Sequence, residues 1–118
     1  MKDYARISNI PYLGICFGFQ LALVAFARHA CGISDAGSVE VDPKARHPVV
    51  EFMPEQRETL KLGGSMRLGS HEINIRDSTM AESIYRTDTI YGRHRHRYEL
   101  NRRYIDVLEK GGLVLSGF

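Results

Sequence analysis

The chain has 118 residues, 43% of them hydrophobic and 25% charged, with a formal net charge of +2. That length and balance fit a single globular domain with a real core and exclude a disordered tail. The charge is too mild to specify nucleic acid, and no apolar run nears the roughly 20 residues of a membrane span, so neither partner is expected.

Residues 4–8 read as the end of a helix, closed by Asn9 ahead of Pro11. Residues 12–15, YLGI, read as a short buried strand. From 17 to 30 the apolar side chains of Leu21, Val24, Ala25, Ala27 and Ala30 recur at helical spacing, and Gly32 ends the run. Residues 33–48 are polar, hold Gly37, Pro43 and Pro48, and predict a long loop. PVVEFM is a predicted strand, and PEQRETLKLGG an exposed connection. SMRLGSHEINI predicts a strand or hairpin. DSTMAESIYR predicts a short helix capped by Asp77 or Ser78, with Glu82 near the first turn. TIYGRHRHRYELN alternates and predicts one strand. Residues 101–110 predict a helix closed by Gly111 and Gly112, and LVLSGF a final strand. Alternating strands and helices make the fold class α/β.

The two cysteines, Cys16 and Cys31, fall in or beside one predicted helix. Fifteen helical residues span about 22 Å, far beyond disulfide reach. Two free thiols point to a reducing compartment, and the expected location is cytoplasmic. The opening MKDYARISN lacks the apolar stretch of a signal peptide.

Cys16 sits in the frame Gly14-x-Cys16-x-Gly18, where a strand turns sharply into a helix. This is a nucleophile-elbow arrangement. The turn forces the central residue into a strained conformation, the glycines avoid clashes, and the side chain projects off the sheet. The amides of Phe17 and Gly18 fall in the first helical turn, where they have no intrahelical partner and can donate to an oxyanion. The helix terminus favours a thiolate. The competing reading makes Cys16 a small buried hydrophobe. Cys31 has no such frame and reads as a structural thiol.

The segment IPYLGICFGFQLALVAFAR resembles the nucleophile region of class I (triad) glutamine amidotransferases. GSVEVDP, GGSMRLG and RHRHRYELN follow in an order similar to the glutaminase domain of the CTP synthase family, and the likeness runs through essentially the whole chain. The resemblance implies an incomplete class I amidotransferase-like (flavodoxin-like) sheet with flanking helices. It implies hydrolysis of L-glutamine through a cysteine thioester, with ammonia passed to a separate synthetase domain that aminates UTP to CTP. Cys16 then matches the nucleophile, and Phe17, Gly18, Phe19, Gln20, Glu40 and Arg97 match glutamine-binding positions. No cofactor or metal is implied for this chain, ATP and Mg belonging to the synthetase domain. The synthetase domain is the implied partner, within a homo-oligomer that is a tetramer in full-length family members.

The resemblance carries departures. Triad amidotransferases place a His-Pro-Glu-like motif well after the cysteine, and none of His29, His47, His71, His94 and His96 is followed by a Pro-Glu pair. Residues 1–118 are therefore expected to form a partial domain, without the N-terminal strands and the C-terminal His/Glu segment, inactive alone and with exposed apolar surface. On a strand, Arg93, Arg95 and Arg97 share one face while His94 and His96 share the other. The paired histidines suit a substitute base or a metal pair, or else they pack beneath a basic strand. Two other readings compete. One is a non-catalytic amidotransferase-like interaction module. The other is a nucleic-acid binder built on Arg93–Arg97 with Arg102 and Arg103, against which the mild charge and the absence of tryptophan count.

Overall fold

The computed structural model describes residues 2–52 and 67–118. Its elements, in chain order, begin with α1 (Lys2–Ile7), α2 (Phe17–His29), β1 (Ala36–Ser38), β2 (His47–Phe52) and β3 (Arg67–Asn74). There follow α3 (Met80–Tyr85), β4 (Thr89–His96), β5 (Tyr98–Leu100), a 3₁₀ turn (Arg102–Tyr104) and α4 (Ile105–Lys110). The strands form two sheets. One has the order β1-β2-β5, with β1 parallel and β5 antiparallel to β2; the other is the antiparallel pair β3-β4.

The core lies between α2 and the three-stranded sheet. Leu23, Val24 and Ala27 of α2 are buried against Ala36, Val49 and Val50 of the sheet, and Leu108 of α4 closes the cluster. The buried stripe of α2 is Gln20, Leu23, Val24 and Ala27, a spacing of three, four and seven. Leu21, Ala25 and Ala30, which share the helical period, are only half-buried beside it. The stripe thus begins on a polar residue. Burying each of Leu23, Val49, Val50 and Leu108 contributes about 1.5–3 kcal/mol, so this small cluster holds α2 in place.

Several predicted elements differ from the structure. Residues 12–15 form no strand, and they are not buried: Leu13 is 84% and Ile15 75% exposed. An extended segment needs a neighbour to satisfy its backbone groups, and no strand among the described residues lies beside it. The expected loop 33–48 instead contains β1, whose three residues are all buried. Ala-Gly-Ser carries no strand pattern of its own. It is strand because β2 pairs with it and because small side chains let α2 approach, Arg28 Nε donating to the Ala36 carbonyl at 2.6 Å.

The single strand expected over 89–101 is two strands in different sheets. β4 pairs with β3 as far as His96, and β5 pairs with β2 from Tyr98, so the chain changes partner at Arg97. The short helix is capped by Thr79 rather than Asp77 or Ser78. Thr79 Oγ1 accepts from the Glu82 amide at 3.3 Å, and Glu82 Oε2 accepts from the Ser78 amide at 2.6 Å. Residues 101–110 open as a 3₁₀ turn before α4, and Gly112, at φ 98°, ends the run as expected. Residues 113–118 contribute one bridge, Gly117 to Ile75, in place of a full strand. Arg76 pairs with Glu109, which ties the end of β3 to α4. The connection expected over 54–64 lies outside the described residues.

The expectation of exposed apolar surface is met. Tyr4, Ile7, Ile10, Tyr12, Leu13 and Ile15 all remain open to solvent around α1 and the segment that follows it.

Candidate active site

The first turn of α2 builds the site. Cys16 is its N-cap residue, at φ 52° and ψ −117°. A residue with a Cβ rarely adopts that conformation, which costs about 1–3 kcal/mol wherever surrounding structure enforces it. Three contacts enforce it here. The Gly18 amide donates to the Ile15 carbonyl at 2.9 Å, the Gln20 amide donates to the Cys16 carbonyl at 3.1 Å, and the Tyr12 hydroxyl donates to the Gly18 carbonyl at 3.0 Å. The thiol of Cys16 is exposed. The buried-hydrophobe reading of this cysteine is therefore set aside.

The two glycines of the frame act differently. A Cβ on Gly14 would stand 2.8 Å from the Phe19 nitrogen and 2.9 Å from the Phe19 Cα, main-chain atoms that cannot swing away. Gly14 is glycine because the helix start passes directly over it. A Cβ on Gly18 would meet only the Tyr12 hydroxyl, at an ordinary 3.6 Å. The two amides that follow Cys16 also divide. The Gly18 amide is engaged with Ile15, whereas no acceptor among the described residues bonds the Phe17 amide. The Phe17 N–H, adjacent to the thiol and at the positive end of a 13-residue helix, is the donor left open to a developing oxyanion.

Gln20 lies one turn beyond Cys16 and is only 5% exposed. Its Nε2 donates to the Tyr98 carbonyl at 3.1 Å, joining α2 to β5. Arg97, immediately before Tyr98, is exposed at the point where the chain passes from one sheet to the other. Glu40 is exposed just after β1, its amide held by Ser38 Oγ at 3.2 Å. Glu40 and Tyr98 line one cleft with Val39, Pro43, Pro48 and Phe52. Neither Glu40 nor Arg97 has an ion-pair partner among the described residues. The structure thus brings Gln20 and the segment of Arg97 together through a hydrogen bond spanning 78 residues of sequence. Phe17 is exposed at the helix start, and Phe19 turns elsewhere, into an apolar groove of about 200 Å³ with Ile10, Tyr12, Leu23 and Phe26.

None of the five histidines bonds the Cys16 thiol. His29 lies 3.8 Å from Asp3. His47 meets the Tyr104 hydroxyl and Asp35. His71, His94 and His96 gather on one face of the β3-β4 pair, with ring centroids 5.3–5.4 Å apart along the series, while Arg93 and Arg95 face solvent. His94 Nδ1 lies 3.0 Å from the Gly92 carbonyl. The alternation read from the sequence is therefore real, and its histidine face forms a packed row. Among the described residues no cluster of three metal-ligating side chains is poised to hold an ion.

Three contributors were not singled out from sequence. Tyr98 supplies the carbonyl for Gln20, Tyr12 supplies the hydroxyl over the elbow, and Asn101 locks β5 to β2. Asn101 Nδ2 donates to the Pro48 carbonyl at 2.9 Å and to Glu51 Oε2 at 2.7 Å, while its Oδ1 accepts from the Arg103 amide at 3.1 Å. An Asn just ahead of a helical run is a cap signal and was available for that purpose; the carbonyl of Tyr98 left no signal at all. Cys31 lies just past the end of α2, its sulfur beside Gly111 at the end of α4, and burial pushes its thiol pKa up.

Comparison with known proteins decides the family. Residues 1–117 match the family described as Glutamine amidotransferase class-I. The chain belongs to that family. The CTP synthase of Pyrococcus furiosus is 54% identical over 114 residues, covering 97% of this chain and 21% of the relative. That of Sulfurisphaera tokodaii is 51% identical over 114 residues, covering 97% of this chain and 22% of the relative. Among solved structures, the glutaminase domain of Trypanosoma brucei CTPS with bound acivicin superposes with a TM-score of 0.90 at 38% identity, covering 98% of this chain and 44% of that one. The α/β amidotransferase fold is therefore shown. The chain spans about a fifth of the length of the curated relatives it matches. No helix among the described residues is long and apolar enough to cross a membrane.

Proposed function

We propose that this chain supplies the nucleophile-bearing part of the glutaminase of a CTP synthase. The observation that carries the reading is the geometry at Cys16, an exposed thiol at positive φ beside the unpartnered Phe17 amide. In this reading Sγ of Cys16, as thiolate, attacks the carboxamide carbon of L-glutamine. The carbonyl oxygen becomes an oxyanion and accepts the Phe17 N–H. Collapse of the tetrahedral species breaks the C–N bond, releases ammonia once its nitrogen is protonated, and leaves a γ-glutamyl thioester. Water then cleaves the thioester to glutamate and restores the thiol.

Glu40 suits the substrate ammonium and Arg97 its carboxylate, each being open to solvent without an internal ion-pair partner. The proton acceptor for the thiol is assigned to the remaining part of the domain. This chain covers 44% of the Trypanosoma glutaminase chain, and its own histidines are bonded elsewhere. The ammonia is destined for a synthetase domain that aminates UTP to CTP, with ATP and Mg bound there. A homo-oligomer and a cytoplasmic location complete the proposal.

The test is made on the full-length protein. An electrophilic glutamine analogue should label Cys16 and spare Cys31, and Cys16→Ala should abolish glutamine-dependent CTP formation while ammonia-dependent formation persists. Labelling confined to Cys31, or glutamine-dependent turnover by the Ala variant, would overturn the assignment. Labelling of neither would favour a non-catalytic interaction module.

A further inference from the structure

Residues 12–15 approach the elbow with little to hold them. Leu13 and Ile15 are exposed, and no strand among the described residues lies beside this backbone. Tyr12 makes the one side-chain hydrogen bond from the segment to α2 among the described residues. A carbonyl only accepts, so the Tyr12 hydroxyl is the donor, and it reaches the Gly18 carbonyl, six residues on, at 3.0 Å. The ring is placed by the same turn. A Cβ on Gly14 would stand 2.9 Å from Tyr12 Cε1, so the ring lies over the bare Cα of that glycine. The side chain therefore spans the elbow, from the incoming segment to the first turn of α2.

What it spans is strained. Cys16, at φ 52° and ψ −117°, relaxes when its two dihedrals rotate, and that rotation turns the peptide unit joining it to Phe17. The same peptide unit carries the Phe17 N–H, which no acceptor among the described residues holds. The bond from the Gly18 amide to the Ile15 carbonyl closes a tight loop around Cys16, and the Tyr12 hydroxyl closes a wider loop outside it. With residue 12 tied to residue 18, the strained unit has less room to turn.

We propose that Tyr12 is a positioning residue: its hydroxyl, bonded to the Gly18 carbonyl across the elbow, holds the Cys16 thiol and the Phe17 N–H in the mutual geometry that oxyanion formation needs. It acts through the backbone and not on the substrate. This rests on the glutaminase reading above. A misplacement of about 1 Å can cost on the order of a hundredfold in rate, so even a partial release is measurable.

The test uses the full-length protein and Tyr12→Phe, which keeps the ring over Gly14 and removes only the hydroxyl. Three rates are measured: glutamine-dependent CTP formation, ammonia-dependent formation, and alkylation of Cys16 by iodoacetamide without glutamine, followed by peptide mass spectrometry. In the alkylation the thiolate sulfur bonds to the methylene carbon as iodide leaves, no oxyanion forms, and the Phe17 N–H has no part. For glutamine, kcat and kcat/KM should each fall about three- to tenfold with KM little changed, the pattern of a contact felt only in the transition state. Ammonia-dependent formation and alkylation should be unchanged.

An unchanged kcat for glutamine overturns the proposal. So does a raised KM alone, which would put the hydroxyl on the substrate. A parallel fall in alkylation would place its effect on the thiol itself, and loss of ammonia-dependent formation would place it on folding; either also sinks the positioning role. Glutamine turnover by Cys16→Ala defeats the glutaminase reading instead, so the two failures are distinct.

Discussion

Replacing Cys16 by glycine should make the protein more stable than replacing it by alanine, although both changes remove the thiol. At φ 52° and ψ −117° a Cβ is strained, at a cost of about 1–3 kcal/mol. Alanine keeps that Cβ; glycine removes it. Against this, glycine increases the conformational freedom of the unfolded chain by about 0.4–1 kcal/mol relative to alanine. The Cys16 side chain is exposed, so no buried contact separates the two variants. The net difference is about 0.5–2 kcal/mol in favour of glycine, or roughly 2–10 °C in melting temperature for a chain of this size. Thermal and urea unfolding of the paired variants, followed by circular dichroism, measure it. A glycine variant no more stable than the alanine variant would show that no strain is held at this position, and the elbow reading would lose its physical basis.

Gly14→Ala should destabilise by about 1–3 kcal/mol because the new methyl meets the main chain of Phe19, while Gly18→Ala should be close to neutral; equal denaturant midpoints for the two would contradict the assigned contacts. Asn101→Ala should cost about 1–3 kcal/mol, since the Pro48 carbonyl, Glu51 and the Arg103 amide lose a partner together; a midpoint within error of the parent would remove its bracing role. Burial raises the pKa of the Cys31 thiol and, with the Asp35 charge, that of the Tyr104 hydroxyl. The folded state therefore binds more protons than the unfolded state through the alkaline range, and stability should fall as pH rises above about 8.5. Cys31→Ala should flatten part of that fall, and iodoacetamide should alkylate Cys16 well before Cys31.

The elbow was legible in the residues themselves. Gly14-x-Cys16-x-Gly18 ahead of a 13-residue amphipathic run is local chemistry, set by a tight turn and a helix start, and the structure places Cys16 at the turn and Phe17 at the helix start as the spacing says. The helix stop at Gly32, the strand at 47–52 and the alternation of Arg93 and Arg95 with His94 and His96 are local in the same sense. What the residues could not declare depends on partners distant in the chain. Ala36–Ser38 is a strand only because β2 lies beside it, and YLGI, apolar and strand-like, is none because no described strand does. RHRHRYEL keeps one alternation while its hydrogen bonds pass at Arg97 from one sheet to another, a change that side-chain pattern does not encode. The same limit governs the site. Cys16 and Gln20 share a helix face by arithmetic, but the bond from Gln20 to a carbonyl 78 residues away, and the resulting closeness of α2 to the Arg97–Tyr98 segment, exist only once the sheet has formed. A backbone carbonyl is identical at every position of the chain, so only tertiary packing could single out that of Tyr98.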